Sequence, residues 1–276
     1  MNNVIRLMCH GDIIELLEFA NKEDWVSDAQ EYEFLLGNNS EGCFTLEVNG
    51  EVAGGITTIL YNHSAWIGNF IVREELRNRG LGTDLFITAI NFLEMRVRTI
   101  YLTASPHATS LYTRSGFSTI MRINRWRYRG GKTRKIGDYI STQPDTKEAL
   151  SMDNLSWRDD RSILLEYNFN KSRLFLNHLS DGFLVIMRIA GVDIIAPWEV
   201  KKGNRKTAES LLSEAMYFIE NRGVMLDVPE NNHNAENLLR EYGFYISGYT
   251  WFMVKGKLPN INFDNIFAMA SPGSIG

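Results

Sequence analysis

A repeat constrains this chain more than any other feature of its sequence. Gly116-Phe117 and Gly243-Phe244 each close a short helical stretch, and the two pairs lie 127 residues apart. Sliding the sequence over itself by 127 lays the strand-like 97–102 on 224–229 and the helix-like 80–95 on 207–222. Self-similarity at a fixed period means that one supersecondary plan is used twice. A chain of 276 residues has room for two domains of about 130 residues each. We therefore expect two diverged copies of one fold, over 1–130 and 145–276, joined by the polar, glycine-containing stretch 130–144.

Within each copy the hydrophobic period changes along the chain. Residues 12–20 place apolar side chains at helical spacing, and most of the first forty residues read as helix, the second helix ending at Gly37. Residues 43–48 are strand-like, and Asn49-Gly50 is a two-residue hairpin turn leading into a return strand. A third strand follows over 65–72, a loop over 73–79, a helix over 80–95, a strand over 99–103, a short helix over 107–115 and an end strand over 117–129. The second copy gives a helix at 160–165, strands at 182–189, 193–195 and 224–228, and helices at 204–221 and 234–242. Helices and a mixed sheet in this order make an α+β fold, with each domain a mostly antiparallel sheet flanked by helices.

The composition, 44% hydrophobic and 22% charged, belongs to a globular protein with a core. A net charge of −4 predicts neither a nucleic-acid nor a membrane partner. Cys9 and Cys43 stand in no metal or redox spacing, so two reduced thiols and no metal site are expected. The first six residues lack the charged lead and apolar run of a signal peptide, and no stretch approaches the ~18 apolar residues of a membrane span. The expectation is a cytoplasmic protein, a monomer or a homodimer.

Chemistry concentrates in Phe70-Ile71-Val72-Arg73-Glu74-Glu75-Leu76-Arg77-Asn78-Arg79-Gly80-Leu81-Gly82-Thr83. An apolar strand runs through a two-glycine loop into a helix. Glycines let a ligand approach the backbone, and a helix N-terminus favours an anion such as pyrophosphate. On this local pattern alone an ordinary strand-to-helix turn fits equally well. Order and spacing separate the two readings. Arg77-Asn78-Arg79-Gly80-Leu81-Gly82 resembles the Arg/Gln-x-x-Gly-x-Gly/Ala signature of the GCN5-related N-acetyltransferase (GNAT) superfamily, and Leu111-Tyr112-Thr113-Arg114-Ser115-Gly116-Phe117 resembles its Leu-Tyr-x-x-x-Gly-Phe segment.

The resemblance implies acetyl-CoA as co-substrate. Backbone groups of Phe70, Ile71 and Val72 would pair with the pantetheine arm, and amides from Arg77, Asn78, Arg79, Gly80, Leu81, Gly82 and Thr83 would hold the pyrophosphate. An amide near the strand would stabilise the oxyanion as an amine attacks the thioester directly. Tyr112 takes the position that protonates the departing thiolate, unless it is only a packed aromatic. His107 stands where relatives carry a cofactor-contacting Asn, and is open as a base or a helix cap. Residues 65–72 contain no Asp or Glu, so the general base is left among His107, Glu51, Asp28 or an acid of the second half.

The second copy has lost these residues. At the same offset Arg77 falls on Asn204, Gly80 on Thr207, Gly82 on Glu209 and Tyr112 on Leu239. It is similar to the C-terminal domain behind a GNAT domain in bacterial tandem proteins, through Asp160-Arg161-Ser162-Ile163-Leu164, Pro197 and Asp227-Val228-Pro229-Glu230-Asn231-Asn232. The resemblance implies a degenerate domain without CoA that covers the acceptor side. Asp193, Glu199 and Asp227 are read as solvated surface acids with an option to meet an amine. The basic run Arg122, Arg125, Arg127, Arg129, Lys132, Arg134 and Lys135 reads as alternation along an end strand and a solvated linker. Contact with the cofactor's 3′-phosphate is a lesser option. Three functions stay open: N-acetylation of a small-molecule primary amine, an idle acyl-CoA-binding sensor, and N-acetylation of a protein, which needs an open peptide groove.

Overall fold

The computed structural model describes residues 2–130, 145–220 and 222–276; nearly all of the expected linker lies outside them. The first half runs β1 (Asn3–Leu7), α1 (Ile13–Lys22), α2 (Ala29–Asn39), β2 (Phe44–Val48), β3 (Glu51–Leu60), β4 (Ser64–Val72), α3 (Leu81–Glu94), β5 (Thr99–Ala104), α4 (Thr109–Arg114) and β6 (Ser118–Tyr128). The second runs α5 (Thr146–Trp157), α6 (Ser162–Lys171), β7 (Leu174–Asn177), β8 (Gly182–Ile189), β9 (Val192–Val200), α7 (Arg205–Ile219), β10 (Val224–Pro229), α8 (His233–Glu241), β11 (Tyr245–Gly256) and β12 (Ile266–Ala268). Two helices, three strands, helix, strand, helix, strand recur in both halves.

Local chemistry places most of these elements. Asn49 and Gly50 take φ of 54° and 84°, the left-handed pair that a tight β2–β3 hairpin requires. Three departures from the sequence reading have physical causes. The chain opens with a strand, β1, because Val4 and Ile5 suit a sheet edge and Arg6 reaches both Glu47 and Asp12. Helix α2 passes through Gly37, which is exposed and is not among the glycines with positive φ, so it does not act as a left-handed stop. Strand β11, an unassigned stretch of the sequence, is the longest among the described residues.

The twelve strands of the described residues join one sheet, in the order β1-β2-β3-β4-β5-β11-β6-β10-β9-β8-β7, with β12 on β9. Two pairings are parallel, β4 with β5 and β9 with β10. The halves have exchanged their last strands: β11 lies against β5, and β6 lies against β10. Strand β6, the last of the first half in chain order, thus lies in the interior of the sheet. Adding 127 to Ser118 and to Arg127 gives Tyr245 and Val254, and the observed pairs are Ser118 with Val254 and Arg127 with Tyr245. The β6–β11 pairing is therefore its own image under a pseudo-two-fold axis.

Helices α3 and α4 cover one face of the first half through Leu81, Leu85, Phe86, Ala89 and Tyr112, set on Ile67, Ile100, Leu102 and Met253. The opposite face carries α1 and α2, whose Leu16, Phe19, Tyr32 and Leu35 share a core with Trp66, Tyr101 and Phe252. Trp157 of α5 and Ile275 belong to that same core, so the second half closes the α1–α2 face of the first.

Candidate active site

Strands β4 and β5 pair only from Ser64–Thr99 to Trp66–Tyr101. Beyond that, β4 continues to Val72 and β5 to Ala104, and the two open a wedge. A bulge sits on the β4 wall. Gly55 faces Ile71 but Thr57 faces Gly68, so β4 carries one residue more than β3 between these points. Asn69 lies inside the bulge with φ of 46°. The bulge also switches faces, as an extra residue must: Ala65 and Ile67 pack on the α3 side, and beyond it Phe70 and Val72 do.

At the end of β4 the chain enters the glycine loop. Asn78 and Gly80 take φ of 62° and 83°, and Gly80 stands immediately before α3. The amides of Arg77 and Thr83 donate to Glu74 and Gly80. Those of Asn78, Gly80, Leu81 and Gly82 have no acceptor among the described residues. They line a helix N-terminus, where unpaired N–H groups and the helix dipole favour an anion. A Cβ on Gly82 would stand 3.4 Å from Phe70 and Val72, so glycine here lets α3 press on β4. The Arg77 side chain braces the loop, with its Nε 2.8 Å from the Val72 carbonyl and an Nη 2.6 Å from Glu23. An open strand edge, a bulge and four unengaged amides in sequence fit a pantetheine arm with its pyrophosphate.

Tyr112 projects from α4 into the ring cluster of Phe70, Phe86 and Phe117, its ring 5.0 Å from that of Phe86. It keeps 7% of its surface exposed, and burial pushes its phenol upward, so the group stays protonated at neutral pH. His107 lies in the exposed turn after β5, on the side to which the wedge opens.

The carboxylates considered as a base are engaged elsewhere. Glu51 is an exposed partner of Arg73, and Asp28 caps α2 and pairs with Lys171 at 2.7 Å. Asp193, Glu199 and Asp227 are not solvated but buried. Asp193 meets Arg173, Asp227 takes a two-point contact from Arg125, and Glu199 sits beside the buried Asp153–Arg161 pair. Burial of Asp193 and Asp227 is tolerated because each meets a guanidinium, whereas burial and the neighbouring Asp153 carboxylate push the Glu199 carboxyl well above its ordinary value.

A carboxylate that the sequence reading missed stands at the bulge. Glu31 of α2 is 3% exposed. Its Oε1 accepts from Asn69 Nδ2 at 2.9 Å and its Oε2 from Ser274 Oγ at 2.8 Å. Burial pushes its carboxyl above the ordinary value, against the pull of those two hydrogen bonds. Glu31 stands three residues after the Asp28 cap on the helix face turned to the sheet, a position shared by many core residues, so spacing alone did not mark it.

The second half opens the equivalent wedge and fills it with its own chain. Strands β9 and β10 pair at Asp193–Val224 and Ile194–Met225. Beyond this point β12 pairs with Glu199 and Trp198 of β9, and the Met269 amide donates to the Asp227 carbonyl of β10 at 2.8 Å. Arg122, Arg125 and Arg127 lie on β6 and Arg129 directly follows it; the last three line a cleft of about 560 Å³ with Tyr245 and Tyr249; the other basic residues of that run fall outside the described residues.

Residues 11–117 match the acetyltransferase (GNAT) family, and residues 149–268 match an acetyltransferase (GNAT) domain. No curated protein matches the chain. A candidate acetyltransferase of Pyrococcus horikoshii superimposes with a TM-score of 0.85 at 22% identity, covering 99% of this chain and 95% of its own. A GCN5-related N-acetyltransferase of Sphaerobacter thermophilus gives 0.69 at 18% identity, over 95% and 98%. A tandem GNAT protein from the clavulanic acid biosynthesis pathway gives 0.66 at 12% identity, over 94% and 100%. At these identities the likeness is one of fold.

Proposed function

The chain belongs to the GNAT acetyltransferase family as a tandem member, and on that premise we propose that it is an N-acetyltransferase acting on a primary amine of a small molecule. The observation that carries this is the wedge of the first half, with the β4 bulge on one wall, four unengaged amides at its end and Tyr112 beside it.

Bound acetyl-CoA supplies the activated acetyl group as a thioester. Phe70, Ile71 and Val72 offer the open backbone edge that receives its arm, and the amides of Asn78, Gly80, Leu81 and Gly82 hold its phosphates. Tyr112 remains neutral and gives its phenolic proton to the leaving sulfur. Glu31, ionised and held by Asn69, takes the proton that an ammonium must lose before it can attack. A carboxyl raised by burial is better matched to this step near neutral pH than an ordinary one, because its conjugate base binds the proton more tightly. The second half closes the acceptor side and cannot take the cofactor arm itself, since β12 fills its wedge.

Release of free thiol from acetyl-CoA, followed against a panel of amines, amino acids and polyamines, tests this reading. Amine-dependent release supports it. Tight CoA binding without release across the panel would make the protein a binder and sensor instead.

A further inference from the structure

The chain beyond β12 travels from the second half to the first. It leaves the filled wedge at Met269 and is pinned at each step. Ala270 O accepts from Asn168 at 2.9 Å, Pro272 O from Arg125 at 2.9 Å, and Gly273 O from both Trp66 Nε1 and Thr103 Oγ1 at 3.2 and 3.1 Å. The buried Ser271 hydroxyl accepts from the amides of Gly273, Ser274 and Ile275, folding the segment into a tight turn. The Tyr61 hydroxyl donates to Ile275 O. At Gly68 the approach is so close that a Cβ would collide with the Ser274 carbonyl. Gly68 is the residue before Asn69, so the turn lies on β4 beside the bulge.

This placement leaves Glu31 walled in. Asn69 covers one oxygen, Ser274 the other, and the carboxylate is buried while Ser274 is half-exposed. Resting on the reading of Glu31 as the base, we infer that Ser274, supplied by the second half, is the proton relay between the acceptor and Glu31. The acceptor ammonium gives a proton to Ser274 Oγ as the hydroxyl passes its own proton to Glu31 Oε2. The amine is left with its lone pair, the carboxyl is neutral, and reversal of the path to solvent resets both. The other titratable groups around Glu31 are Asp28 on its own helix, Lys171 and Tyr167 of α6, and Tyr32 and Tyr61. Asp28 and Lys171 are paired to each other, and the three tyrosines are raised by burial and uncharged at neutral pH. Ser274 is the partly exposed hydroxyl on the carboxylate.

Two measurements on the full chain test the relay. The Glu31 carboxyl is titrated by carbon-13 NMR, its signal assigned by its loss in Glu31→Gln. Ser274→Ala removes a hydrogen bond to the ionised form, so the midpoint should rise by about one pH unit, a tenfold change in proton affinity. Ser274→Thr, which keeps the hydroxyl, should restore it. Amine-dependent thiol release from acetyl-CoA should fall at least about tenfold in Ser274→Ala and recover in Ser274→Thr, with CoA affinity by calorimetry held within about twofold. Ser274→Gly provides a second chain without the hydroxyl should the alanine variant fold poorly. An unmoved midpoint, or wild-type thiol release in Ser274→Ala, overturns the relay. Wild-type release in Glu31→Gln instead overturns the base itself, so the two failures are told apart.

Discussion

Asp12 shows how a single side chain fastens the β1–α1 junction to β2. Burial opposes its ionisation, but Arg6 grips both oxygens at 2.7 Å, and the Cys9 amide and Thr45 hydroxyl add two more hydrogen bonds. The balance holds its carboxyl at about 2, below the ordinary 3.8. A depressed carboxyl stabilises the fold above its ordinary value and loses that contribution as pH falls through the folded one. The stabilisation, about 2 kcal/mol, should be complete above about pH 5 and gone near pH 1. Urea unfolding of Asp12→Asn should show that loss at pH 7 and a shallower decline between pH 4 and 2; equal stability of the two chains at pH 7 would contradict it. At this scale the sequence reveals residues whose neighbours are close in the chain. Tyr112 is legible because Leu111, Gly116 and Phe117 lie within one turn and its stop. Glu31 is not, because its meaning comes from Asn69 on another element and from Ser274 at the far end of the chain. Cys43 is buried, and burial pushes its thiol up to about 11.

The element that matters most is the β4–loop–α3 unit, and its weak point is Gly80. A Cβ there would meet nothing within 4 Å, but φ of 83° is strained for any L side chain. Gly80→Ala should cost about 1 kcal/mol and lower CoA affinity several-fold as the loop relaxes. Gly80→Asn, a residue that tolerates the left-handed region, should recover part of both. Calorimetric titration with CoA and thermal melts check this, and an alanine variant with unchanged affinity and melting would show that the loop does not need this conformation. The unit was legible because glycine spacing reports backbone geometry directly. The bulge inside β4 was not. Residues 65–72 are almost wholly apolar and covered on both faces, so the switch of face at Asn69 leaves no break in alternation to read. The first strand was also missed, since five residues ahead of a strong helical period carry little pattern of their own.

The whole molecule is one sheet with two exchanged strands, and this bears on what the first half can do alone. Without residues beyond 130, β6 loses both neighbours, β5 loses β11, and the shared core loses Trp157, Phe252 and Ile275. A fragment of residues 1–130 should therefore fail to fold cooperatively, whereas the full chain should unfold in a single transition followed by circular dichroism. A fragment with a native-like spectrum and a sharp melt would contradict the exchange. The repeat was legible because both copies keep the same order of elements over the same period. The exchange was not, because β6 and β11 are equivalent strands and either sheet satisfies their alternation. The second half emerges as a structural partner: its own wedge is filled by β12, and the chain leaving that wedge reaches Glu31.

On the proposed reading this wedge performs acyl transfer and does not only bind CoA. Tyr112→Phe separates the two, since the change removes one hydroxyl and leaves the ring in its aromatic cluster. Amine-dependent thiol release should fall about a hundredfold while the calorimetric affinity for CoA stays within about twofold of wild type. Undiminished release in the variant would contradict the assignment of Tyr112 as the acid, and equal, amine-independent release in both chains would contradict the transferase.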